Sequence, residues 1–106
     1  MITLHLFYSG KNDSARRFVD EMESSGLADR VRQERGNMRY EYYQPVGDPK
    51  TMLLIDSWVS QEAIDAHHAS PMMKRIAALR EKYDLHMRVE RFVSEDLGSD
   101  AAFVRE

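Results

Sequence analysis

The sequence predicts an α+β domain with the element order β-α-β-β-α-β. Three observations carry this. Residues 1–9, 37–46, 51–59 and 85–93 read as strands, by alternation or by apolar and aromatic content. The stretches between the first and second of these, and between the third and fourth, repeat apolar residues at helical spacing. A short turn, GDPK at 47–50, separates the middle pair and makes it an antiparallel hairpin.

Each element follows from its residues. In the first strand Ile2, Leu4, Leu6 and Tyr8 share one face, and Thr3, His5 and Phe7 share the other. Gly10 ends it. Asp13 or Ser14 can cap a helix whose Ala15, Phe18, Val19 and Met22 form one buried stripe. Gly26 interrupts that helix, and LADRVRQER continues it more briefly up to Gly36. The tyrosine-rich NMRYEYYQPV is the second strand and TMLLIDSWV the third, the latter apolar on both faces. Ser60 can cap a short helix over 61–68 with Glu62 at its positive end. Ser70 and Pro71 start another, whose stripe is Met72, Ile76, Leu79 and Tyr83. LHMRVERFV closes the pattern as the fourth strand.

Two split βαβ halves in this order give the ferredoxin-like arrangement, an antiparallel four-stranded sheet with helices on one face. The other face is partly apolar and needs a cover, and a second copy of the chain is the simplest one. A sheet-to-sheet homodimer is therefore expected. The domain is assigned to residues 1–93. The acidic tail 94–106 is weakly patterned and either frays or reaches onto the partner subunit.

Composition narrows the function classes. The 106 residues are 42% hydrophobic and 31% charged, which is ordinary for one globular domain. A formal net charge of −3 without a basic stretch argues against nucleic acid or an anionic membrane as partner. The absence of cysteine removes disulfides, thiolate nucleophiles and cysteine-ligated metals. No apolar run reaches the ~20 residues of a membrane span. MITLHLFYSG lacks the marks of a secretory leader, so a cytoplasmic location is expected.

Chemistry-bearing residues gather in SWVSQEAIDAHHASPMMK, residues 57–74. Adjacent helical residues point about 100° apart, so His67 and His68 cannot face one site. His67 falls in line with the buried stripe; His68 is read as a group without chemistry. No metal site is expected from their spacing. Asp56 and Trp58 share one face of the third strand and can border one cavity with His67. A carboxylate near an imidazole raises its basicity and fixes its tautomer, which suits a general base. Tyr40 and Tyr42 share a face of the second strand.

RQERGNMRYEYYQ (32–44) and IDSWVSQEAIDAHHASPMMK (55–74) resemble the signatures of the antibiotic biosynthesis monooxygenase-like family, small dimeric α+β barrels. The pattern is carried by Asp56, Trp58, Ala66, His67, Ser70 and Pro71, with Gly36, Asn37, Arg39 and Tyr40 upstream, and extends over about residues 1 to 93. The resemblance implies a cofactor-independent monooxygenase that oxidises a quinol or polycyclic phenol with O₂. It implies His67 as base, Asp56 as its orienter and Trp58 as a wall of the site. Tyr40 and Asn37 become substrate-binding candidates. Leu54, Ile64 and Met72 stand where various relatives carry polar groups, and are expected to contact substrate as apolar residues. Two other readings stay open: an isomerase of a small phosphorylated carbonyl compound, and a non-catalytic binding or stress-response module for a small hydrophobic ligand.

Overall fold

The computed structural model describes residues 1–105. Its elements are β1 (Ile2–Ser9), α1 (Ser14–Ser24), α2 (Leu27–Arg32), β2 (Asn37–Tyr43), β3 (Thr51–Trp58), α3 (Gln61–His68), α4 (Pro71–Lys82) and β4 (His86–Val93). The sheet order is β2-β3-β1-β4 with every neighbouring pair antiparallel. This is the ferredoxin-like arrangement, each helical slot of the pattern being filled by two short helices.

Alternation along the strands separates two faces. Leu6, Tyr8, Met52, Leu54 and Trp58 turn to the helices and are buried. Against them pack Phe18, Val19 and Met22 of α1 and Leu27 and Val31 of α2. Each large side chain removed this fully from water contributes roughly 1.5–3 kcal/mol. The opposite face carries Thr3, His5, Phe7, Leu53, Ile55 and Phe92, none covered by a helix. His5 and Phe92 meet there with ring centres 4.7 Å apart.

Several boundaries differ from the sequence reading. β2 ends at Tyr43, because Pro45 has no N–H for a ladder and Val46 is fully exposed. Asp13 precedes α1 but its side chain makes no cap bond; Ser14 instead donates its hydroxyl to Lys11 O at 2.7 Å. Ser60 caps α3 as expected, its Oγ accepting the Ala63 N–H at 3.2 Å. The tail forms a 3-10 helix over Gly98–Phe103 that its weak pattern did not signal, with Leu97, Phe103 and Val104 exposed. β4 is exposed along its whole length. It is an edge strand, and the helices leave a gap in front of it.

Candidate active site

That gap is a cavity of about 390 Å³ between the sheet and the pair α3–α4. Leu4 and Leu6 of β1 and Val89 of β4 floor it, and Ile64 and Met73 roof it. Gln61, His68, Arg80 and Arg91 supply its polar groups. A larger hollow of about 480 Å³ lies near the β2–β3 hairpin, bordered by Phe7, Pro45 and Arg88. It opens on the helix-free side, and none of the candidate residues borders it.

Of the eight residues singled out by the sequence, Ile64 lines the cavity and the other seven do not. Five of those seven form a cluster behind it, buried except for the half-buried Asn37. His67 and Trp58 are 5% and 0% exposed, and their rings stack with centres 4.9 Å apart at 30°. Asn37 donates its amide N–H to Asp56 Oδ1 at 3.5 Å. Tyr40, opposite Asp56 in the sheet, receives the Tyr42 hydroxyl at 3.4 Å. Leu54 belongs to the core under the helices. Met72 packs on that core as well, and its neighbour Met73 reaches the cavity instead. His68 stands at the cavity rim, its ring 5.7 Å from that of His67.

The carboxylate that orients His67 is Glu34, not Asp56. Glu34 Oε2 accepts from His67 Nδ1 at 2.7 Å, both groups largely out of water. This bond fixes the imidazole tautomer and leaves Nε2 as its basic nitrogen. Glu34 sits on the turn after α2, where Gly36 adopts φ +87°. A Cβ at Gly36 would come within 2.6 Å of the Ala63 Cβ, so only glycine lets this turn lie against α3. Glu34 falls inside the stretch that carries the resemblance. Its spacing of 33 residues from His67 gave no local signal.

Burial sets the electrostatics. Desolvation pushes the Asp56 carboxyl up to about 7, opposed chiefly by the nearby Trp58 N–H dipole. That N–H is buried without an acceptor in hydrogen-bonding geometry, so it acts through its dipole rather than a formed bond. His67 is lowered below its ordinary value by burial, with Glu34 pulling the other way. The imidazole is therefore neutral at pH 7. Desolvation also raises Tyr40 and Tyr42, so both phenols remain protonated hydrogen-bonding groups. Among the described residues, no three His, Asp or Glu side chains converge as a metal-binding group, and no helix is long and apolar enough to cross a membrane.

The chain is thus a ferredoxin-like α+β protein with an apolar cavity between its antiparallel sheet and its helices, the usual form of a small-ligand site. The chain belongs to the antibiotic biosynthesis monooxygenase family, whose model matches residues 1–79. It is 28% identical over 68 residues to YcnE of Bacillus subtilis (strain 168), named provisionally as a monooxygenase; the match covers 64% of this chain and 70% of YcnE. Its fold matches that of a Deinococcus radiodurans protein assigned provisionally to the same family, at TM-score 0.78 and 18% identity, over 91% of this chain and 94% of that one. It also matches SnoaB, a cofactor-independent oxygenase from Streptomyces nogalater, at TM-score 0.74 and 12% identity, over 90% and 93% of the two chains.

Proposed function

We propose that the protein is a cofactor-independent monooxygenase that oxidises a quinol or polycyclic phenol in the cavity between β1, β4, α3 and α4. One observation carries this reading: an apolar cavity sized for a small ring system holds an imidazole at its rim. His68 takes the phenolic proton, since it borders the space where the ring lies. His67 stands behind it, neutral and held by Glu34, with Trp58 stacked on its ring as a positioning residue. Arg80 adds positive charge to the cavity as a whole, which favours the phenolate over the phenol. The deprotonated ring gives electrons to O₂ and forms a hydroperoxide at a ring carbon. Loss of water then leaves one oxygen atom in the quinone product and the other in that water.

The site is read as one of two in a homodimer located in the cytoplasm. The support for the dimer is the helix-free face, where Phe7, Leu53, Ile55 and Phe92 form an apolar centre between Arg39, Glu41 and Glu90. The tail supports it too. Residues 94–105 are exposed throughout, and the radius of gyration, 15.1 Å, exceeds the ~13 Å of a compact chain this long.

The test is oxygen uptake by metal-stripped protein with reduced naphthoquinones and anthrones, autoxidation subtracted. Uptake should fall ~10²–10⁴-fold in His68→Ala, the usual loss on removing a general base. Equal loss in a folded His67→Ala with His68→Ala unaffected would move the base to His67. Ring binding with no uptake by the wild type would overturn the oxygenase reading in favour of a binding module.

A further inference from the structure

We propose that the cavity selects a fused-ring aromatic acid, with the ligand carboxylate set against Arg80. This deepens the oxygenase reading and rests on it for the ring chemistry. The charge of the lining is one-sided: Arg80 and Arg91 border the cavity and no aspartate or glutamate does. Arg80, on α4, is half-buried and fixed by donating Nη2 to the Tyr8 hydroxyl at 3.1 Å, its Cζ 5.5 Å from the Tyr8 ring centre. Its Nε is buried and meets no acceptor. Asp56 feels its charge, but no carboxylate among the described residues lies within ion-pair distance of it.

A guanidinium taken partly out of water without a counter-ion destabilises a fold. A ligand anion arriving beside it would supply the missing charge in a site already arranged for it. Arg91 repeats the pattern at the mouth. It lies on β4 opposite Leu4, exposed, while Arg88 and Glu90 on the other face of that strand pair with each other at 3.3 Å. The rest of the lining fixes the ligand's body. Leu4, Leu6 and Val89 on the sheet and Ile64 and Met73 on the helices leave a slot for an apolar ring. A carboxylate fits better than a phosphate. Arg80 is the one half-buried cation of the lining and already gives Nη2 to Tyr8, which suits a single carboxylate charge better than the two charges of a phosphate monoester.

Titration calorimetry at pH 7 with 1-hydroxy-2-naphthoate, 1-naphthol and 1-naphthyl phosphate tests this. In wild type the naphthoate should bind ~10-fold or more tighter than the naphthol, the worth of one charge-assisted hydrogen bond. In Arg80→Gln that advantage should disappear, with the naphthol losing less affinity than the naphthoate. Arg80→Lys serves if the glutamine variant fails to fold, and should weaken the naphthoate more than the naphthol. Arg91→Gln, on an exposed edge, should keep a reduced preference with a weaker salt dependence. Equal naphthoate and naphthol affinities in wild type would overturn the inference and leave the oxygenase reading standing. Tighter binding of the phosphate would overturn it in favour of phosphorylated substrates. Binding of none of the three would remove the cavity assignment on which both readings rest.

Discussion

His67 donates its Nδ1–H to Glu34 at 2.7 Å, tying α3 to the turn that leads into β2. The bond links two segments that share no local pattern, and it places a neutral imidazole behind the cavity wall with its tautomer decided. Trp58 closes the other side of the ring.

Removing the carboxylate should therefore destabilise the fold. Glu34→Ala leaves the His67 donor buried without a partner, a loss of about 1–3 kcal/mol. The other oxygen, Oε1, is buried unpartnered in the native protein, and its removal offsets part of that. The expected net loss is about 1–2 kcal/mol, or roughly 10 °C in Tm, by calorimetry at pH 7. An unchanged Tm would mean that the pair contributes nothing.

Asp56 and His67 pull the pH dependence of stability in opposite directions. The Asp56 carboxyl rises from 3.8 to about 7 on folding, so the native state holds its proton where the unfolded chain has lost it. Its contribution is complete below pH 3.8 and is lost as pH climbs through about 7, up to ~4 kcal/mol in all. His67 is lowered from 6.5, so its contribution is present above pH 6.5 and is lost on acidification. In Asp56→Asn the first trend should vanish, so that urea midpoints between pH 4 and 7 rise with pH or stay flat relative to wild type. A variant whose midpoints fall as steeply as the wild type's would refute the Asp56 assignment.

The helix-free face gives a prediction about assembly. Ile55 lies at its centre, beside His5 on one side and Glu41 on the other. Ile55→Glu introduces a charge there without entering the helix-side core. Sedimentation equilibrium should show a dimer for wild type and a folded monomer for the variant. A wild-type monomer at micromolar concentration would sink the proposed pairing.

Gly36→Ala should be costly for two independent reasons. The residue has φ +87°, and the added methyl would lie 2.6 Å from the Ala63 Cβ. Backbone strain alone is worth ~1–2 kcal/mol, and the clash adds to it by forcing α3 away. Urea denaturation should show a loss of about 2 kcal/mol or more. A loss under about 0.5 kcal/mol would mean that α3 shifts freely.

Gly36 also illustrates what could be read in advance and what could not. It was visible as the end of a helical stretch, and its neighbours carried the family resemblance. Nothing local announced that it is the point where α3 rests on the chain. The same holds at the site. Asp56, Trp58 and His67 were recognisable as candidates in one stretch, and the structure stacks Trp58 on His67 while Asp56 meets Asn37 and Glu34 takes the place beside the imidazole. Their relation to the cavity was not recognisable, because it depends on which way α3 is rotated over the sheet. One residue of helical phase turns His68, rather than His67, towards the cavity. The shift from Met72 to Met73 on α4 has the same origin. Arg80 escaped notice because its significance lies in the carboxylate it lacks, and an absent partner leaves no mark on a sequence.

The sequence by itself determined the order of elements, the buried stripe of α1 and the two-sided apolar character of β1 and β3. Those properties arise from residue spacing along one segment, with periods of 2 and 3.6 that any local stretch displays. Tertiary structure alone decided that Glu34 serves His67, that β4 stands clear of the helices to open a cavity, and that Arg80 faces it beside Tyr8. Each of these is a meeting of segments far apart in the chain, fixed by how the helices pack on the sheet rather than by any periodicity within them.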